Sequence, residues 1–375
     1  MVSLARKTLW REWPRFFPAI LAVCFAGVLL FIQAALVLGI FGSAAVYVTA
    51  SSADIWLGYP GTQSVNLGRG ISYDLEMLLR TNDQISHVEP LIWVDADWRS
   101  NSSLGGVSVY VIGMNSNEDG VIFDKVLPAK LRPLLREPGA VIVDRADLDT
   151  LGIHVGDYAW IEGQRVHVVA TSVGLRALGG VNILCSLNTA RRLNNSNKNN
   201  VTYWVAKVKN SQNIQSVTDQ LKGNSSFGPY EVSTAKEFAH RSQFFWMLDT
   251  GAGVAVLFMV VIVILVGIVV ACQSLISVVI SASREYATLN ALGVGMKALR
   301  SVVLEQSAWI GAIGLTLSFI ISNLLLVLAR SQDIPIAMTP LMTVIWASLV
   351  FGISLISGLL AMRGLLRADV NLLLR

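Results

Sequence analysis

The chain has 375 residues, of which 53% are hydrophobic and only 14% charged, with a mean hydropathy of +0.57. Soluble domains carry about 25% charged residues, so this composition excludes a purely soluble protein. The formal net charge of +4 comes with no basic patch interleaved with aromatics, which excludes a nucleic-acid binder.

Residues 1–15 alternate Trp10 and Trp13 with Arg6, Lys7, Arg11 and Arg15. That pattern predicts a cytoplasmic amphipathic segment lying in the lipid headgroup layer, with membrane lipid as its partner. Residues 16–41, from Phe16 to Phe41, form the first apolar run. A membrane span needs about 20 residues to cross roughly 30 Å of hydrocarbon. This run is too long for the core of a signal peptide and is read as uncleaved transmembrane helix 1.

Residues 42–245 have soluble composition and mix strand and helix patterns. Val107–Ile112, Val141–Val143, Ala159–Ile161, Val166–Ala170 and Tyr203–Val208 read as strands. Tyr73–Arg80, Arg145–Leu151 and Ile214–Leu221 read as helices. Glu162-Gly163 is placed to close a hairpin. The block is predicted to be a large α+β domain in two lobes. Asp95 and Asp97 alternate along a strand and read as a solvated face. The three cysteines are Cys24, Cys185 and Cys272, so the block, with Cys185 alone, holds no internal disulfide.

A helix is predicted to start near Ser233, as N-cap, and to run without a stop into the second apolar run. Residues 246–282 are therefore read as a rigid stalk continuous with transmembrane helix 2. Residues 283–300 form a short polar loop, 301–329 transmembrane helix 3, 330–340 a short turn with Pro335 and Pro340, 341–362 transmembrane helix 4, and 363–375 a tail. Lys and Arg are concentrated in the N-terminal segment, in the 283–300 loop (Arg284, Lys297, Arg300) and in the tail (Arg363, Arg367, Arg375). The positive-inside rule places those three parts in the cytoplasm and residues 42–245 outside, giving a multi-pass 1+3 arrangement of four helices.

The sequence lacks a Gly-x-x-x-x-Gly-Lys-[Ser/Thr] loop, so the chain is expected to bind no nucleotide itself. It has no Cys-x-x-Cys, His-Glu-x-x-His or Gly-x-Ser-x-Gly motif. Its four histidines, His87, His154, His167 and His240, are scattered, and neither metal nor catalytic residues are expected. The informative stretch is Arg284-Glu285-Tyr286-Ala287-Thr288-Leu289-Asn290-Ala291-Leu292-Gly293. Glu285 suits a helix N-terminus. Ala287, Leu289, Ala291 and Leu292 give the helix an apolar side, and Gly293 and Gly295 end it. A short amphipathic helix held between two spans is a handle for a soluble partner. Glu305, just inside the third span, needs a partner, and Arg300 and Arg284 are the nearby candidates for an ion pair at the membrane interface, with Arg300 taken first.

This stretch resembles the "REYATLKALG" element of ABC transporter permeases of the FtsX/MacB type, with the DevC-like branch nearest. Further similarity lies in Val302–Glu305, in Phe244-Phe245-Trp246, and in the run from Pro138 to Asp157. The family's closing Ala-Asp-Pro is altered, since Ala368-Asp369 is followed by Val370. The resemblance implies a MacB-like periplasmic domain in the bacterial inner membrane. It implies a homodimer of this chain docked on an ABC ATPase subunit that binds ATP-Mg. The coupling residues would be Arg284, Glu285, Tyr286, Ala287, Thr288, Leu289, Leu292 and Gly293. A periplasmic adaptor and an outer-membrane channel would complete an exporter of a lipophilic or periplasmic substrate, including glycolipid-like cargo, driven by mechanotransmission. Two other readings are an FtsX-like regulator of cell-wall enzymes and, in a different class, a membrane-anchored sensor or enzyme.

Overall fold

A computed structural model describes residues 11–100, 106–194, 200–222, 227–281, 288, 295–332 and 334–367. In chain order the main elements are α1 (Trp13–Ser43), β1 (Ile55–Gly58), α2 (Leu75–Arg80), β2 (Ile85–Ser100), β3 (Val107–Met114), β4 (Ala140–Asp144), β5 (Tyr158–Ile161) and β6 (Gln164–Ser172). They continue with β7 (Val181–Ser186), α3 (Leu187–Leu193), β8 (Tyr203–Val208), α4 (Ile214–Leu221), β9 (Glu231–Thr234), α5 (Ala235–Phe244), α6 (Ala252–Ser281), α7 (Met296–Ser331) and α8 (Pro340–Arg367). They divide into two compact units, residues 40–253 and residues 1–39 with 254–375.

The 40–253 unit is built on one nine-stranded sheet in the order β9-β1-β8-β2-β3-β7-β4-β6-β5, and a further β2–β5 pairing closes its second part into a six-stranded barrel. The long strand β2 belongs to both parts. Ile85–Leu91 pair with β8, Ile92–Trp98 pair with β3, and Trp98–Ser100 pair with β5. Pro90, which has no N–H to donate, sits just before the exchange of partners. At the split, the Thr202 hydroxyl accepts from Trp93 N at 2.8 Å. Beyond the split, Ile92, Val94, Ala96 and Trp98 are buried while Asp95, Asp97 and Arg99 are exposed. This two-residue period puts one face of the strand in the core. Val109, Val111, Val141, Val143, Val166 and Val168 join that core.

The Glu162-Gly163 turn has φ of 47° and 74°, the left-handed pair that a two-residue hairpin requires. Strand Tyr203–Val208 and helix Ile214–Leu221 lie where the sequence pattern places them. Arg145–Leu151 is a 3-10 turn followed by one α turn instead of a single helix. Cys185 is fully buried, and desolvation pushes its thiol up to about 12.

The expected continuous stalk is interrupted. Helix α5 is capped by Thr234, whose Oγ1 accepts from Glu237 N at 3.2 Å. Ser233, the expected cap, is instead a residue of β9. After α5 the chain widens into a π turn at Phe245–Asp249 and then breaks at Gly251, with φ of +74°. A non-glycine residue rarely adopts that angle, so α6 starts afresh at Ala252.

Among the described residues, four helices are long and apolar enough to cross a membrane: Trp13–Ser43, Gly253–Val278, Ser301–Ser331 and Pro340–Leu359. One precedes the α+β unit in the chain and three follow it. Helix α7 begins at Met296, inside the stretch expected to be loop 283–300, because Gly295 is extended and serves as its N-cap. Small residues bring the helices together. A Cβ on Gly314 would come within 2.9 Å of Val23, and one on Gly27 within 2.6 Å of Ser318 Oγ. The turn before α8 packs on α1, with Ala337 N donating to Ala35 O at 3.1 Å. A Cβ on Gly39 would lie 2.1 Å from the Pro335 carbonyl oxygen.

Candidate transmission site

Of the expected coupling residues, Arg284, Glu285, Tyr286, Ala287, Leu289, Leu292 and Gly293 lie outside the described residues. Thr288 is described, as helical and exposed. Glu305 is half-buried in α7, one turn and a half after Arg300. The Arg300 side chain lies outside the description, and so does the expected Arg300–Glu305 pair.

What the structure does describe is the way the α+β unit holds the segment that leads towards α6. Loop Tyr59–Leu67 is tied to β9, to α5 and to the π turn by a row of hydrogen bonds. Gly61 N donates to Glu231 Oε2 at 2.9 Å, and Val65 N donates to Ser242 Oγ at 3.1 Å. Trp246 Nε1 reaches both Ser64 Oγ, at 3.1 Å, and Asn66 Oδ1, at 3.3 Å. Ser64 and Asn66 are buried and share a hydrogen bond of 2.6 Å. Arg241 pairs with Glu231 at 2.7 Å and donates to Ser233 Oγ at 3.0 Å. Arg241, in the last turn of α5, therefore fixes that helix to the edge strand β9.

The π turn has its own signature. Thr250 N donates to Phe245 O at 3.3 Å, a five-residue step, and the Thr250 hydroxyl donates to Trp246 O at 2.8 Å. A Cβ on Gly253 would lie 1.6 Å from the Met247 carbonyl oxygen, so only glycine lets the chain pass there. Gly251 and Gly253 are the glycines nearest the entry to the second apolar run. Nothing in the sequence pattern singled out Ser64, Asn66, Arg241 or Ser242. The available signal was a row of polar residues on one face of a helix that ends in three consecutive aromatics, Phe244 to Trp246.

Elsewhere in the unit, buried charges are structural. Glu89, fully buried, accepts from Val121 N at 3.2 Å and Ile122 N at 3.4 Å, and contacts His87 Nε2 at 2.9 Å. Arg132, also buried, donates to the carbonyls of Ile122 and Asn115. Desolvation pulls its guanidinium below the ordinary value, against the opposing charges of Glu89, Asp124 and Asp119. Asp147 pairs with Arg176 at 3.0 Å, yet burial still raises its carboxyl above the ordinary value. Among the described residues no group of His, Cys, Asp and Glu could hold a metal ion.

Over about half of its length the chain is similar to solved structures, among them the following three. The first is the extracellular domain of the noncanonic ABC-type transporter YknZ from Gram-positive bacteria, at 15% identity, covering 48% of this chain and 98% of that one, with TM-score 0.35. The second is the periplasmic region of MacB from Actinobacillus actinomycetemcomitans, at 13% identity, covering 50% and 92%, with TM-score 0.36. The third is a domain of a putative permease protein from Porphyromonas gingivalis, at 8% identity, covering 49% and 91%, with TM-score 0.33. No curated protein matches the chain. Residues 257–370, a stretch that takes in most of α6, all of α7 and α8 and the Arg284–Gly293 segment, match the family described as FtsX-like permease C-terminal.

Proposed function

We propose that this chain is the membrane permease subunit of an ABC-type system, coupled to a separate ATPase through the Arg284–Gly293 segment. The observation that carries this reading is the FtsX-like permease match over residues 257–370, which includes that segment. The four helices among the described residues that are long and apolar enough to span a membrane support it, as does a large α+β unit inserted between the first and second of them. The absence of a phosphate-binding Gly-Lys loop in the sequence fits a subunit that depends on a partner for ATP hydrolysis.

In this reading the ATPase pushes on Leu289 and Leu292, and the motion reaches the α+β unit through the chain from α6 back to α5. A homodimer, a periplasmic adaptor and a lipophilic or periplasmic cargo, glycolipid-like cargo included, belong to the same proposal. The bacterial inner membrane with cytoplasmic termini is the matching location.

The test is co-purification from detergent-solubilised native membranes, wild type against Leu292→Asp, with partners read by mass spectrometry. An ABC ATPase that accompanies the wild type and is lost with the variant supports the proposal. Absence of any ATPase from the wild type, under conditions that keep membrane complexes intact, overturns it.

A further inference from the structure

The π turn at Phe245–Asp249 holds one residue more than an α turn would. Such turns are rare, appear mostly as single insertions in α-helices and are frequent at functional sites. This one ends at Gly251, whose left-handed backbone terminates the helix. The only side chain within the turn that is bonded into the body of the unit is Trp246, among the hydrogen bonds of the described residues, through Nε1 to Ser64 and Asn66. Its ring also lies against Gly179, where an added Cβ would come within 3.5 Å of the indole.

We infer that Phe245–Asp249 is a one-residue slip joint, latched in its π form by the Trp246 indole on Ser64 and Asn66. With the latch closed, the extra residue stays in the turn. With the indole released, the turn tightens to α, and the spare residue passes into the Thr250–Gly253 bend, which its two glycines leave free to adjust. One residue of α-helix corresponds to roughly 100° of rotation and about 1.5 Å of rise, so the released turn would rotate by about that amount against α5. Loop Tyr59–Leu67, which also bonds α5 through Val65 and strand β9 through Gly61, is the fixed side of the joint. The use of this motion in coupling rests on the proposed function. The joint itself does not.

The two are separated by working on the isolated full chain in lipid nanodiscs, with no ATPase present, and following amide hydrogen exchange. Two variants open the latch from opposite sides: Trp246→Phe, which keeps the ring and removes the donor, and the pair Ser64→Ala with Asn66→Ala. Loss of the bond is expected to speed exchange of amides 246–253 by on the order of tenfold in both. The combined triple variant should add nothing further, and strands β4 and β7 should be unchanged. Faster exchange confined to the Tyr59–Leu67 loop, with 246–253 unaltered, would show an ordinary tether and overturn the slip joint. Faster exchange throughout the unit, or additive effects in the triple variant, would overturn it equally.

Discussion

Ser354 donates its hydroxyl to the Ser307 carbonyl at 2.9 Å, and one turn further along α8 Gly358 lies so close that an added Cβ would come within 2.0 Å of Ser307 Oγ. Gly311 completes the contact, since its Cβ would lie 2.8 Å from Ser354 Oγ. In a bilayer, helices gain nothing from hiding apolar surface from one another, and close approach through small residues replaces that force. Gly358→Leu is therefore expected to separate α7 from α8 and to cost about 1–3 kcal/mol by overpacking. Gly352→Leu is the control, because nothing lies within 4 Å of a Cβ at that position. The thermal midpoint of the detergent-solubilised chain should fall for the first variant and stay put for the second.

The apolar helices were legible in the sequence because a bilayer imposes a length that composition alone reveals. The strands Val107–Met114 and Tyr203–Val208 were legible because β-branched runs between turn residues have few other uses. Strand β2 was not. It carries Pro90 in its middle, and its two parts serve different neighbours, so no single pattern runs through all of Ile85–Ser100. The break in the expected stalk turns on the backbone angle at Gly251 and on the Met247 carbonyl facing Gly253, which are facts of three-dimensional contact. Trp246 was seen only as one of three aromatics. That its indole bonds Ser64 and Asn66, some 180 residues earlier in the chain, depends on the sheet order that brings them together.

Trp98 is wholly buried on β2, and its Nε1 donates to Leu151 O at 3.0 Å. The indole thus fills the barrel core and satisfies the carbonyl that ends the helical turn Leu148–Leu151. Trp98→Phe keeps much of the volume but strands that carbonyl, which is expected to cost about 1–3 kcal/mol. Trp98→Ala leaves a cavity as well and is expected to cost about 3–5 kcal/mol. Denaturant midpoints of the full chain, followed by near-ultraviolet circular dichroism, should rank wild type above Phe and Phe above Ala. Equal midpoints for the two variants would show that the cavity carries no penalty.

Burial raises the Asp147 carboxyl above its ordinary value despite the Arg176 partner, with nearby Asp144 adding to the rise. The folded state then holds the proton more tightly than the unfolded state does. The stability this provides is fully present below the ordinary carboxylate value, about pH 4, and is lost as pH rises through the raised value. Asp147→Asn has no proton to lose. Its thermal midpoint, measured against wild type, should therefore improve steadily as the pH is raised from about 4. A difference that stays flat across that range, or shrinks, would show that the Arg176 contact fully offsets desolvation.

Helix α5 carries the Trp246 latch at its end, so its start sets how firmly the latch is presented. Thr234 accepts from Glu237 N at 3.2 Å, while neighbouring Ser233 accepts from Arg241 at 3.0 Å. The two hydroxyls are adjacent in sequence but do different work, one at the helix end and one at a side-chain contact. Thr234→Ala is expected to cost about 1 kcal/mol by loss of the cap and to speed amide exchange over Lys236–Phe238, the first turn. Ser233→Ala removes only one donor contact of an arginine that keeps Glu231, so the first turn should exchange as in wild type. If Ser233→Ala instead loosens that turn as much as Thr234→Ala does, Ser233 shares the cap, and the helix starts one residue earlier than its hydrogen bonds indicate.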